Sequence, residues 1–277
     1  MKRKTIYGIV CVALLVSCAH RSGHRINSFA TSENVIHEGY DDNAEEKRHI
    51  DKDIQVDFTY TEPYTNVLQR KSYITSYNPE TKCPNWVAWH LTAARTDGEI
   101  ARDKRFYEDL DVPAPRATNE DYRGSGWSRG HMCPAGDNKW DEKVMQESNL
   151  LTNICPQNQE LNSGVWNVIE RDCRKWAKKY GDVYIVCGPI LLNKDHETIG
   201  LNKVVVPEAF FKVVLRMNPK PAAIGFVIRN NEGKKKRDQF VNTVDDVERI
   251  TGYDFFPALP DDIEDVVEAT ARIEDWR

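Results

Sequence analysis

Two stripes run side by side along residues 162–180, and they constrain the fold more than any other feature of the chain. Val165, Ile169, Cys173, Trp176 and Tyr180 recur at three- and four-residue steps, the period of an amphipathic α-helix with one buried face. Asn162, Trp166, Glu170 and Arg174 recur at steps of four on the adjoining face. Asn162 and Ser163 are the candidate caps. Such a helix needs a surface to pack on, and the other segments are short and rich in β-formers. Residues 85–91, 150–154, 183–187, 210–215 and 222–228 read as strands, the third ending at the turn signal Gly188-Pro189. Short helices are expected over 244–250 and after Pro260. Strands and helices mixed without a βαβ rhythm predict an α+β fold.

The first 55 residues stand apart from this pattern. Met1-Lys2-Arg3-Lys4 is a positive leader, and 6–16 is an apolar stretch too short for a comfortable membrane span. It runs into Leu15-Val16-Ser17-Cys18, which resembles a bacterial lipobox, where the signal is cut before a cysteine that becomes lipidated. A plain secretory signal cut near Ser17 or Ala19 is the alternative. Either one places the mature chain outside the cytoplasm. The expected organisation is a lipoprotein signal peptide over 1–17, a polar flexible tether over 18–55, and one domain over 56–277. The expected location is the bacterial cell envelope, with a membrane anchor through lipidated Cys18.

Five cysteines remain beyond Cys11 and Cys18: Cys83, Cys133, Cys155, Cys173 and Cys187. Export permits disulfides, and an odd number leaves at least one thiol over. One or two structural bridges with a buried free cysteine is the expectation. A zinc site is the other reading, but it lacks CxxC spacing.

The formal net charge is −5, so any polyanion would have to meet a local basic groove rather than the whole surface. Arg174-Lys175 with Lys178-Lys179, and Lys234-Lys235-Lys236-Arg237, are candidate patches or simply solvated surface. Three histidines lie beyond residue 50: His90, His131 and His196. Only His131 follows Arg-Gly, where the glycine lets the backbone approach a ligand closely. An imidazole that takes a proton from water, beside a guanidinium that holds phosphate, suits phosphodiester chemistry. On the helix, Asn162, Glu170 and Arg174 offer an amide oxygen, a carboxylate and a guanidinium along one stripe. Magnesium prefers oxygen donors and keeps several waters, so one or two protein oxygens suffice. The plain alternative is an exposed Glu170–Arg174 pair.

Taken together, these segments resemble the DNA/RNA non-specific endonucleases, a branch of the ββα-metal (His-Me finger) nucleases that includes endonuclease G-like enzymes. The family motif Asp-Arg-Gly-His stands here as Ser128-Arg129-Gly130-His131, followed by Pro134 and Asp137. The downstream pattern stands as Asn153, Pro156-Gln157, Asn162, Trp166, Glu170 and Arg174, and similarity extends over about residues 60 to 260. The resemblance implies a mixed or antiparallel central sheet flanked by helices. It implies metal-dependent, sequence-non-specific hydrolysis of DNA and RNA to 5′-phosphate products, with Mg2+ as the cofactor and Mn2+ able to replace it. His131 would be the general base and Asn162 the direct metal ligand. Glu170 would hold the metal's water shell, Arg129 and Arg174 the phosphate, and Asn153 the geometry of the site. Ser128 departs from the family's Asp and could orient a neighbour only through a neutral hydrogen bond. A catalytically inactive nuclease-fold lipoprotein that binds nucleic acid is the alternative, and it would have no use for a general base. A thiol redox protein would need a CxxC, which the chain lacks.

Overall fold

A computed structural model describes residues 66–277. The expected signal peptide and tether, and the first residues of the expected domain, lie outside the described residues. Along the chain the strands are β1 (Asn66–Gln69), β2 (Ile74–Asn78), β3 (Cys83–Thr92), β4 (Ser128–His131), β5 (Ile154–Gln157), β6 (Asp182–Ile190), β7 (Thr198–Ile199), β8 (Val204–Val205), β9 (Ala209–Arg216), β10 (Ala222–Arg229) and β11 (Val241–Asn242). The principal helices are α1 (Glu142–Ser148), α2 (Asn167–Tyr180), α3 (Val244–Thr251) and α4 (Asp261–Glu268).

Seven strands form one antiparallel sheet in the order β1-β2-β3-β6-β9-β10-β11, and β4 pairs with β5 as a separate two-stranded ribbon. The expected α+β class, with an antiparallel sheet flanked by helices, is what the chain adopts. The period-two alternation of the central strands sorts side chains onto two faces. Val87, Trp89, Ile185, Phe210 and Val214 join Ile169, Cys173 and Trp176 of α2 in one core. Trp86, Ala88, Val186, Phe211 and Val213 join Val244, Val247, Ile250 and Val267 of α3 and α4 in the other. Each fully buried Val, Ile or Phe among them contributes roughly 1.5–3 kcal/mol. With both faces covered, every residue of β9 is buried, Lys212 included.

The helices over 244–251 and 261–268 fall where expected, and three local expectations are overturned. First, β6 runs straight through Gly188-Pro189, with Pro189 opposite Phe210. A Cβ on Gly188 would lie 2.3 Å from the Asn85 carbonyl oxygen, so this glycine serves a close approach of strands, not a turn. Second, the strand expected over 150–154 is a 3₁₀ turn, Leu151–Asn153, and pairing begins only at Ile154. Third, neither Asn162 nor Ser163 caps the long helix. Helical structure starts at Gln159, where Asn158 Oδ1 accepts from the N–H of Glu160 at 2.8 Å and of Leu161 at 3.3 Å.

Between that first turn and α2, residues 162–166 form a π-type distortion with Gly164 at φ −94° and ψ −119°. The cause is tertiary. The Gly233 carbonyl accepts from Val165 N–H at 3.3 Å, and it would lie 2.5 Å from any Cβ on Gly164. A foreign carbonyl has entered the helical ladder, which is a recognised cause of kinks. Helical register between Asn162 and Glu170 is therefore broken.

All five cysteines in the described residues are buried free thiols, which corrects the expectation of structural bridges. Burial pushes the Cys173 and Cys187 thiols up to about 12, so they behave as small apolar core residues. Among the described residues no helix is long and apolar enough to cross a membrane.

Candidate active site

The β4–β5 ribbon and α2 meet at His131. This residue ends β4 opposite Ile154, and its main-chain carbonyl accepts from the Trp166 indole N–H at 3.1 Å. Trp166 is fully buried, so it leaves the polar stripe and fastens the helix to the ribbon. Asn153 works from behind. Its Oδ1 accepts from the Cys133 N–H at 2.9 Å, and its Nδ2 donates to the carbonyls of Cys133 at 2.8 Å and Ser148 at 2.7 Å. It is completely buried and shapes the backbone just past His131.

The imidazole of His131 is buried, packed at 44° and 5.3 Å against the Phe106 ring. Its Nε2 lies 2.8 Å from Asn149 Oδ1. The Asn149 amide is oriented by its own Nδ2, which donates to the Asp103 carbonyl at 3.0 Å. Oδ1 can only accept. Nε2 therefore carries the proton and Nδ1 keeps its lone pair. Burial, opposed by the Asn149 contact and aided by the nearby Arg102 charge, lowers the imidazole pKa to about 4. The ring is neutral and able to accept a proton at physiological pH. His90 and His196 are engaged elsewhere, with Asp182 at 2.8 Å and Glu208 at 2.9 Å.

Glu170 and Arg174 share one face of α2 with a third group, the buried Asp137. Asp137 accepts from Arg174 Nη1 at 2.7 Å and from the Trp89 indole at 3.0 Å. Arg174 is thus anchored by one corner of its guanidinium and keeps its remaining donors. Glu170 is half-buried; loss of hydration lifts its carboxyl to about 7, while Lys212, Arg174 and Arg102 pull the other way. Asn162 is half-exposed at the kink. Among the described residues, neither the Asn162 side chain nor the Glu170 carboxyl has a hydrogen-bond partner. An uncommitted amide oxygen and an uncommitted carboxylate are the donors a hard divalent cation takes, so this set fits Mg2+.

Arg129 approaches along β4. Its guanidinium lies 5.4 Å from the Phe106 ring and 5.1 Å from that of Tyr122, and Nη2 donates to the Asn119 carbonyl at 2.9 Å. Among the described residues the Ser128 hydroxyl hydrogen-bonds to neither the His131 nor the Arg129 side chain; it donates to Gln159 Oε1. Gly130 was expected to bring the backbone close to a ligand. The close neighbour is instead Gln157 of β5, whose Oε1 would lie 2.3 Å from a Cβ there.

Three residues escaped the sequence reading. Asn149 and Arg102 reach His131 from irregular segments that carry no local signal. Arg102 is exposed, and its charge acts on both His131 and Glu170. Lys212 was legible: it is a lone charge inside the apolar run of β9. Its ammonium sits 4.2 Å from the Trp166 ring centroid and 5.3 Å from that of Trp89. Burial pulls its pKa down, yet Cys187, Glu170, Cys173 and Asp137 outweigh this and hold it above the usual lysine value. The two basic runs are largely paired. Lys175 meets Asp172, Lys178 meets Asp97, Lys234 meets Glu160, and Arg237 meets Asp172 and Asp238.

A family model described as DNA/RNA non-specific endonuclease matches residues 55–262. "Nuclease EXOG, mitochondrial" of Xenopus laevis is 39% identical over 215 residues, covering 72% of this chain and 60% of that protein. "Endonuclease G, mitochondrial" of Homo sapiens is 38% identical over 157 residues, 53% of each chain. A solved structure described as "Crystal structure of the EndoG/EndoGI complex: Mechanism of EndoG inhibition" superposes with a TM-score of 0.68 at 30% identity, covering 73% of this chain and 89% of that one. The chain spans about 60% of the length of the EXOG relative from Xenopus laevis.

Proposed function

This chain belongs to the DNA/RNA non-specific endonuclease family, and we propose that it hydrolyses phosphodiester bonds of DNA and RNA without sequence specificity, leaving 5′ phosphates. The observation that carries this reading is the fixed tautomer of His131. Asn149 Oδ1 accepts a hydrogen bond from Nε2–H and leaves Nδ1 as a base of low proton affinity, aimed away from that contact. His131 takes the proton of the attacking water. Arg174, steadied by Asp137, holds a phosphate oxygen, and Arg129 and Arg102 add positive charge on the ribbon side. Charge building on the phosphate meets guanidinium groups that are already oriented, so little reorganisation is needed. Asn153 keeps the backbone at Cys133 in place behind the base. Contacts to phosphate carry no direct base information, which accounts for the absence of sequence preference.

A divalent cation, Mg2+ with Mn2+ as substitute, would be held by Asn162 with Glu170 beside it and would supply Lewis acidity at the scissile phosphate and its leaving 3′ oxygen. The test is incubation of chelator-treated protein with plasmid DNA and with RNA, with and without added Mg2+. Cleavage of both substrates, restored by Mg2+ and ending in 5′ phosphates, is expected. Binding without cleavage in the presence of Mg2+ sinks the reading.

We further propose that the chain is exported and anchored to an envelope membrane through lipidated Cys18. The support is the sequence Leu15-Val16-Ser17-Cys18 after a short apolar stretch. The several chains of a lipoprotein anchor firmly, where one chain would not. Mass spectrometry of the mature N-terminal peptide decides: an unmodified N-terminus at any residue other than Cys18 overturns the anchor.

A further inference from the structure

On the sheet face opposite α2, three carboxylates from two helices converge. Asp245 and Glu248 lie three residues apart on α3, and Glu268 is the last residue of α4. One oxygen from each lies within 4.8 Å of the others. The set is graded from surface to interior: Asp245 is exposed, Glu248 half-buried, and Glu268 only 5% exposed.

Glu268 is the anomaly. Among the described residues its side chain has no hydrogen bond and no ion pair, and its Oε1 is buried without a partner. Glu248 gives Oε1 to the Phe255 N–H at 2.7 Å and keeps its second oxygen. No lysine or arginine among the described residues pairs with Asp245, Glu248 or Glu268. The surrounding charges, Glu264 and Asp254, have the same sign. Burial first, and then the charges of Glu248, Glu264, Asp245 and Asp254, push the Glu268 carboxyl up to about 9. A buried carboxyl without a partner is costly, and a cluster of like charges adds to that cost. Either a bound proton or a bound cation relieves it.

The shape favours a cation. The donors are all oxygen, one carboxylate stands at the mouth and one at the floor, and the cluster bridges two helices. We propose that Asp245, Glu248 and Glu268 bind a calcium ion that clamps α3 to α4, on the other side of the sheet from Asn162. Calcium fits better than magnesium because it accepts six to eight oxygens in irregular and bidentate arrangements. Magnesium demands a near-ideal octahedron and sheds water reluctantly.

The experiment titrates CaCl2 into the chelator-treated full chain by calorimetry and follows Tm in parallel. Wild type should bind calcium saturably and gain about 5 °C at saturation. Asn162→Ala should keep both responses, which separates this site from the one proposed at Asn162. Glu268→Gln should lower calcium affinity at least about tenfold and abolish the Tm response, while Mg2+-dependent cleavage is unchanged. Should Glu268→Gln fail to fold, Asp245→Asn, at the exposed mouth, makes the same test. The proposal is overturned if wild type shows neither heat nor Tm change with calcium. It is equally overturned if Glu268→Gln binds calcium as wild type does. A calcium-insensitive wild type that Glu268→Gln stabilises would mark the cluster as one that shares protons instead.

Discussion

The indole N–H of Trp166 donates to the main-chain carbonyl of His131 at 3.1 Å, so the helix bearing Glu170 and Arg174 is tied to the strand bearing the imidazole. Trp166→Phe keeps a ring against Phe210 and Lys212 but leaves that buried carbonyl unpaired, a cost of about 1–3 kcal/mol. We expect Tm to fall by several degrees and kcat to fall with little change in KM. Thermal melts and steady-state cleavage on one preparation check this. A lower Tm with unchanged kcat would make the bond purely structural.

Asn149 sets the tautomer of His131 through the 2.8 Å contact. Asn149→Leu removes the acceptor, and kcat should drop by roughly 10–100-fold while DNA binding survives. Asn149→Asp puts a negative charge beside the ring, which favours the imidazolium. The acid limb of kcat/KM should then move to higher pH. A limb that stays put would mean that Asn149 does not act through the imidazole.

The His131 pKa of about 4 lies below the usual histidine value, chiefly through burial. An imidazole general base acts in its neutral form. The activity limb set by His131 should therefore fall at about pH 4, below any limb that the Glu170 carboxyl, lifted to about 7, sets before a cation binds. Arg102 contributes to the lowering, so Arg102→Ala should shift the limb upward. His131→Ala should remove a factor of roughly 10²–10⁴ in rate while binding to DNA persists. A His131→Ala enzyme that cleaves normally would end its assignment as the base.

Asn162 stands at the kink with its side chain uncommitted. Asn162→Ala should lose most cleavage and raise the Mg2+ concentration needed for the remainder, with Tm within about 2 °C of wild type, as for other surface substitutions. A large loss of stability would instead place Asn162 in the framework that holds the kink.

The five cysteines among the described residues are buried thiols. A thiol reagent should label Cys83, Cys133, Cys155, Cys173 and Cys187 in denaturant and leave them unlabelled in the native chain, with no change in Tm on reduction. A reduction-sensitive Tm would point to a bridge.

Local pattern was enough for whatever depends on neighbours in sequence. The 3.6-residue period marked α2, the apolar runs marked β3, β9 and β10, and Arg129-Gly130-His131 with Glu170 and Arg174 stood out by residue type and spacing. Tertiary structure decided the rest, because those features depend on groups far apart in the chain. The Gly233 carbonyl kinks the helix at Gly164 from 69 residues away. Asn85 makes a glycine necessary inside β6, where sequence alone reads a turn. The cysteines fall on elements whose packing leaves each one a buried thiol, which a count of cysteines does not reveal. Asn149 orients His131 across 18 residues of chain and Asp137 anchors Arg174 across 37. Residue type and spacing therefore mark which side chains can do the chemistry; the protonation state of His131 and the anchoring of Arg174 exist only once burial and long-range hydrogen bonds act on them.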